Sequence, residues 1–223
     1  MRPPGDTVAR PTSRRAHSPC YNAPAMPAPL LVTFVGGSTG RWRVDGIHSV
    51  RGDGLPAVAR LAVLDGDAAT APAGSAWSLR GVTSHLRYTA EPERRGLAGV
   101  QPGLGRPEAT RAALIPIRKT EAWWNLAQDE RRAILEEQSH HIAIGLEYLP
   151  AVARRLHHSR DLGEAFDFLT WFEYAPAHAG AFDELVGRLR ETAEWAYVER
   201  EVDIRLTQPP PSALECPADP CHP

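Results

Sequence analysis

The segment FDFLTWFEY, residues 166–174, alternates along its length, with Phe166, Phe168, Thr170, Phe172 and Tyr174 on one side, which is the two-residue period of a β-strand. Downstream, Phe182, Leu185, Val186 and Leu189 recur at helical spacing within 178–191, which predicts an amphipathic helix there. VEREVDIRL (198–206) alternates again: Val198, Val202, Ile204 and Leu206 form one face, and Glu199, Glu201, Asp203 and Arg205 the other. That pattern predicts a half-solvated strand. Upstream, 148–158 reads as a strand starting near Pro150, because proline suits a strand's beginning. Asp161 and Gly163 supply turn residues between the two middle strands. Residues 121–140 are rich in Glu, Arg, Ala and Leu and predict one helix, and AALIPIR (112–118) predicts a short apolar strand. The order strand, helix, strand, strand, helix, strand is the ferredoxin-like split unit, so the fold class is α+β.

The first half is less regular. Strands are expected at 30–36, 42–51 and 76–88, a short helix near 55–62, and loops at 63–75 and 89–110. A second, degenerate ferredoxin-like unit fits this length. The expected organisation is a disordered extension (1–27), an N-terminal unit (28–110), a C-terminal unit (111–206) and a Pro-rich tail (207–223). The 223 residues are enough to bury a core. A formal net charge of -2 argues against a nucleic-acid partner. No apolar run approaches the ~20 residues of a membrane helix, and the first residues lack the hydrophobic stretch of a secretory signal, so the cytoplasm is the default compartment. Cys20, Cys216 and Cys221 all lie near the ends, which excludes a cysteine-based site in the middle of the chain.

Within this frame a few side chains suit chemistry. On a continuous helix, Trp123 and His141, about five turns apart, would share a face, with Lys119 one turn before. Ordinary core for the tryptophans and a solvated Lys119 fit the same pattern. Arg154 shares a strand face with Val152 and Leu156, while Arg155 points the other way. A guanidinium on an apolar face is costly unless it meets an anion or a partner, and it stays charged; a small anionic substrate and a neighbouring carboxylate both satisfy it. Glu194 could accept the second ring N–H of a ligating histidine. His157 and His158 read as structural, the pair Glu136-Glu137 as a solvated helix face, and the glycine-rich segments at 36–40 and 103–105 as turns.

The strings KTEAWWNLAQDERR (119–132), HHIAIGLEYLPAVARRLHHSRDLGEAFDFLTWFEYAP (140–176) and EWAYVEREVDIRL (194–206) resemble the signature of chlorite dismutases. The similarity extends to FVGGSTGRWRV (34–44), WSLRGVTSHLRY (77–88) and QPGLGRPEATRAALIPIRK (101–119), covering roughly 30–206. This resemblance implies a dimeric α+β barrel of two ferredoxin-like units per subunit, with one haem b per subunit in the C-terminal unit. Similarity to the compact branch of the family implies a homodimer. It implies conversion of chlorite to chloride and dioxygen through a ferryl/hypochlorite rebound. By the same resemblance, His141 is the proximal ligand of haem iron, Glu194 is its hydrogen-bond partner and Lys119 belongs to the same network. Trp123 and Trp124 match the tryptophans beside the haem and at the subunit contact, and Arg154 matches the distal catalytic arginine. The rival readings are a coproheme decarboxylase or peroxidase-like enzyme on the same fold, which would lack the distal arginine in the decarboxylase case, and a non-catalytic haem-binding protein.

Overall fold

The computed structural model describes residues 30–66, 71–83 and 103–210. The extension expected over 1–27, most of the tail expected over 207–223 and much of the loop expected over 89–110 lie outside these residues. Eight strands are present: β1 (Leu31–Gly37), β2 (Trp42–Arg51), β3 (Arg60–Asp65), β4 (Trp77–Thr83), β5 (Arg111–Lys119), β6 (Val152–His158), β7 (Phe168–Tyr174) and β8 (Val198–Thr207). They close into an antiparallel barrel in the order β1-β3-β2-β8-β5-β7-β6-β4. Within each half the first strand lies between the fourth and the third, with the second at the edge. Both halves therefore carry the strand order of the ferredoxin-like unit, although no internal sequence repeat is visible.

Alternation along each strand divides the core in two. Phe34, Trp42, Leu61, Leu114, Leu169, Trp171, Ile204 and Leu206 point into the barrel. Ile115, Val152, Phe172 and Tyr174 point outward and are covered by helix α4 (Ala179–Arg190), whose Phe182, Leu185, Val186 and Leu189 are the expected apolar stripe. Each such side chain contributes about 1.5–3 kcal/mol on burial.

Five expectations need correction. No helix forms near 55–62; the chain is irregular there and enters β3, which pairs along β1 from Gly37↔Arg60 to Val32↔Asp65. Pairing with a neighbouring strand overrides the local helical spacing. Phe166 precedes β7 and packs inside the barrel, opposite to Phe168. The polar face of β8 is solvated only in part: Glu199 is exposed, but Glu201 and Asp203 are buried beneath α4, where Arg190 and Arg205 pair with them. Val198 departs from the face of Val202, because a register irregularity opposite Arg118/Lys119 reverses the alternation, and it joins the outer cluster. Finally, 121–140 is not one helix. It comprises α1 (Glu121–Trp124), α2 (Gln128–Arg132) and a π-helical turn (Ala133–Gln138), ending where His140 takes a left-handed conformation (φ 52°) before α3 (His141–Glu147).

Candidate functional site

The outer face of the C-terminal half-barrel and the helices above it enclose a cleft of about 1190 Å³, counted out to its open mouth. Its walls are mostly apolar, including Ile115, Ile117, Leu135, Phe168, Phe172 and Leu189. Lys119, Trp123, His141, Arg154 and Glu194, the five residues singled out in the sequence, all line it. The route by which they meet differs from the expected one. The helix between Trp123 and His141 is broken, so these side chains converge because α1 and α3 dock separately over the same cleft.

Each residue has a local reason for its place. Lys119 ends β5, and its backbone N–H donates to Asp167 Oδ2 at 2.7 Å. Asp167 also accepts from the Trp124 indole at 3.2 Å, which fixes α1 against the start of β7. Thr120 opens α1, its hydroxyl accepting from the Trp123 backbone N–H at 3.4 Å. Glu136, expected on a solvated helix face, instead turns back to α3. Its carboxylate accepts from the backbone N–H groups of Ile142 at 2.7 Å and Ala143 at 3.3 Å. It thereby satisfies donors that a helix start leaves unpaired and anchors the turn that carries His141. Glu137 is exposed, as expected.

His141 Nδ1 and Glu194 Oε2 are 2.7 Å apart, and Lys119 Nζ donates to Glu194 Oε1 at 2.6 Å. The Glu194 backbone N–H donates to Ser139 Oγ at 2.9 Å. Lys119 and Glu194 are 3% and 4% exposed. Burial acts to raise the Glu194 pKa, but the charges of His141 and Lys119 and their hydrogen bonds outweigh it and hold the carboxyl at about 2. Glu194 is therefore ionised and accepts from the imidazole. With Nδ1–H committed, the Nε2 lone pair of His141 is left for a ligand. The Lys119 ammonium also lies 4.7 Å from the centre of the Trp123 ring, within cation–π range.

Arg154 sits on the sheet side of the cleft, with Leu156 and His158 further along the same face of β6. Its guanidinium packs beside α3 at Gly145, its carbon 3.7 Å from where a Cβ on that glycine would lie. Burial lowers its pKa, yet a guanidinium starts too high to lose its charge. Arg155 faces the other way, toward the barrel interior with His157. Sequence reasoning passed over three residues here. His158 shares the parity of Arg154, a usable signal. Ser139 and Glu136 act through backbone contacts that no spacing reveals. Among the described residues, no group of three or more His, Cys, Asp or Glu side chains could hold a metal ion by itself, and no helix is long and apolar enough to cross a membrane.

A closed α+β barrel built from two ferredoxin-like halves, with an imidazole–carboxylate–ammonium chain facing an arginine across an apolar cleft, defines a class of α+β-barrel proteins. The family model for chlorite dismutase matches residues 68–208, and the chain belongs to the chlorite dismutase family. It is 59% identical to the dimeric chlorite dismutase of Nitrobacter winogradskyi, with 79% of this chain and 99% of that one covered and a TM-score of 0.73. A variant chlorite dismutase from Candidatus Nitrospira defluvii, 21% identical with a TM-score of 0.56 over 81% of this chain and 91% of that one, shares the fold. The chlorite dismutase of Ideonella dechloratans is 34% identical over 124 residues, 54% of this chain. That match spans 41% of the Ideonella protein's length.

Proposed function

We propose that this protein is a haem b enzyme that converts chlorite to chloride and dioxygen, with one haem in the C-terminal unit (111–206) of each subunit of a cytoplasmic homodimer. One observation carries the reading: His141, tied through Glu194 to Lys119, and Arg154 line the same apolar cleft. The 59% identity to a chlorite dismutase described as dimeric supports both the reaction and the assembly.

The residues fit the cofactor. The apolar lining of the cleft suits a porphyrin. It offers a nitrogen lone pair at His141 Nε2 and a cation, Arg154, for an anionic guest. When bound, the haem supplies the iron at which a Cl–O bond of chlorite is broken and the O–O bond of dioxygen is made. Glu194 accepts the Nδ1–H of His141, fixing the tautomer and enriching the imidazole in electrons, which favours the higher oxidation states of iron. Lys119 neutralises the other carboxylate oxygen and keeps Glu194 in place. Arg154 binds chlorite, and in a site of low dielectric that attraction is much larger than in water. The same guanidinium retains the hypochlorite produced, so that recombination is effectively unimolecular. The apolar walls keep out water and competing bases.

An oxygen electrode with chlorite, read beside an absorption spectrum, tests the proposal. Haem-loaded protein is expected to release dioxygen. Arg154→Ala should keep its Soret band, lose activity by on the order of 10²–10³ and leak hypochlorite to a chemical trap. His141→Ala should lose the wild-type Soret spectrum. A haem-loaded wild type that releases no oxygen would overturn the reaction, and an unchanged spectrum in His141→Ala would remove it as ligand.

A further inference from the structure

Behind the chain from His141 to Lys119 lies a second buried carboxylate that the reaction does not use. Glu201, on β8, is 0% exposed and lines the same cleft. Its oxygens are divided between two neighbours. Oε1 accepts from Arg190 Nε at 2.8 Å and Nη2 at 2.6 Å, and Oε2 accepts from the indole N–H of Trp195 at 2.9 Å. Arg190 Nη2 also donates to Asp203 Oδ2 at 3.0 Å. The Trp195 ring lies 5.5 Å from Lys119 Nζ, and Trp195 directly follows Glu194 on one 3₁₀ segment, Ala193–Tyr197.

We propose that Glu201 is a positioning residue for the His141–Glu194–Lys119 chain, holding the Trp195 indole as the wall against which the Lys119 ammonium is set. Burying a carboxylate this completely is costly unless it is paired, and Arg190 offsets the cost from behind. The Glu201 charge polarises the indole N–H, makes the ring face more negative and strengthens its attraction for the ammonium. Lys119 and His141 share one carboxylate. The more firmly Lys119 is held on Oε1, the less negative charge Glu194 presents to the imidazole. Glu201 thus sets how much electron density reaches His141 without touching it.

This inference rests on the reading of His141 as the haem-iron ligand. Its test is the iron–imidazole stretching band of ferrous haem-loaded protein, by resonance Raman at one neutral pH. Trp195→Phe keeps an aromatic ring but removes the N–H, and Glu201→Gln removes the anchoring charge. Both should loosen Lys119, strengthen the Glu194–His141 hydrogen bond and move the band to higher frequency. Asp203→Asn disturbs the same Arg190 without reaching Trp195, and should leave the band in place. An unmoved band in Trp195→Phe, or an equal shift in Asp203→Asn, overturns the positioning role. If Glu201→Gln does not fold, Trp195→Phe decides the matter. If wild-type protein takes up no haem, the reading of the cleft fails by itself, and the positioning role is judged on the cofactor-free protein. There Glu201→Gln should speed hydrogen exchange of the Trp195 indole N–H and move the Lys119 Cε resonance; if both stay unchanged, the role is overturned.

Discussion

Glu194 is the side chain whose surroundings do most to shape the site, and they are antagonistic. Almost no water reaches it, yet it remains ionised because the Lys119 ammonium and the His141 ring N–H both bond to it within 2.7 Å. A carboxyl that would titrate at 4.5 in an unfolded chain is held at about 2 in the folded one. The unfolded state therefore binds the proton first as pH falls. The stability this group contributes is fully present above pH 4.5 and is lost as pH drops from 4.5 toward 2. The shift corresponds to roughly 3 kcal/mol. Glu194→Gln should flatten that part of the pH profile of the cofactor-free protein, read as urea midpoints. At neutral pH it should cost about 3–5 kcal/mol, because Lys119 is left buried with its carboxylate gone. A variant whose acid slope matches the wild type would show that Glu194 does not carry this linkage.

Helix breaks, rather than helix continuity, bring the site together, and here the sequence was hardest to read. The apolar periods of β5, β6, β7, β8 and α4 were legible, because alternation and helical spacing leave a direct trace in residue order. The parity that separates Arg154 from Arg155 was legible for the same reason. The break between α1 and α2 carries neither glycine nor proline, and its residues Asn125, Leu126 and Ala127 interrupt no favourable composition. The burial of Glu201 and Asp203 was invisible because it depends on Arg190 and Arg205 reaching them in space. His140 is the clearest case: an exposed residue with a positive φ, immediately before His141. For a residue with a Cβ this conformation costs about 1–2 kcal/mol, and β-branching aggravates it. His140→Gly relieves the strain but enlarges the entropy of the unfolded chain, so it should change stability by less than about 1 kcal/mol. His140→Ile should be about 1–2 kcal/mol less stable than His140→Gly and speed haem loss, because the distortion falls on the neighbouring His141. Equal stabilities and equal haem dissociation rates for the two variants would rule out backbone conformation as the role of position 140.

A barrel closed from two half-sheets has two seams. Between β2 and β8 the ladder runs from Arg43↔Thr207 to Arg51↔Glu201. Between β4 and β6, among the described residues, it pairs only Val82↔His158 and Thr83↔His157. The β4–β6 seam carries a titratable group. His157 is 1% exposed, its Nδ1 bonds the Leu169 carbonyl at 3.1 Å, and its ring meets Phe34 edge-on. Burial depresses its pKa from 6.5 to about 4. An unfolded chain therefore takes up this proton near pH 6.5 while the folded one resists it, and stability falls as pH drops from 6.5 to 4. The full loss is on the order of 3 kcal/mol. Acid should thus open the barrel first at the β4–β6 seam, where His157 is buried. Hydrogen exchange compared at pH 7 and pH 5, corrected for intrinsic rates, should lose protection in 77–83 and 152–158 before 42–51 and 198–207. His157→Leu, which has nothing to protonate, should remove most of that difference. Loss of protection that begins at β2 and β8, or that persists undiminished in His157→Leu, would place the acid-sensitive hinge elsewhere in the molecule.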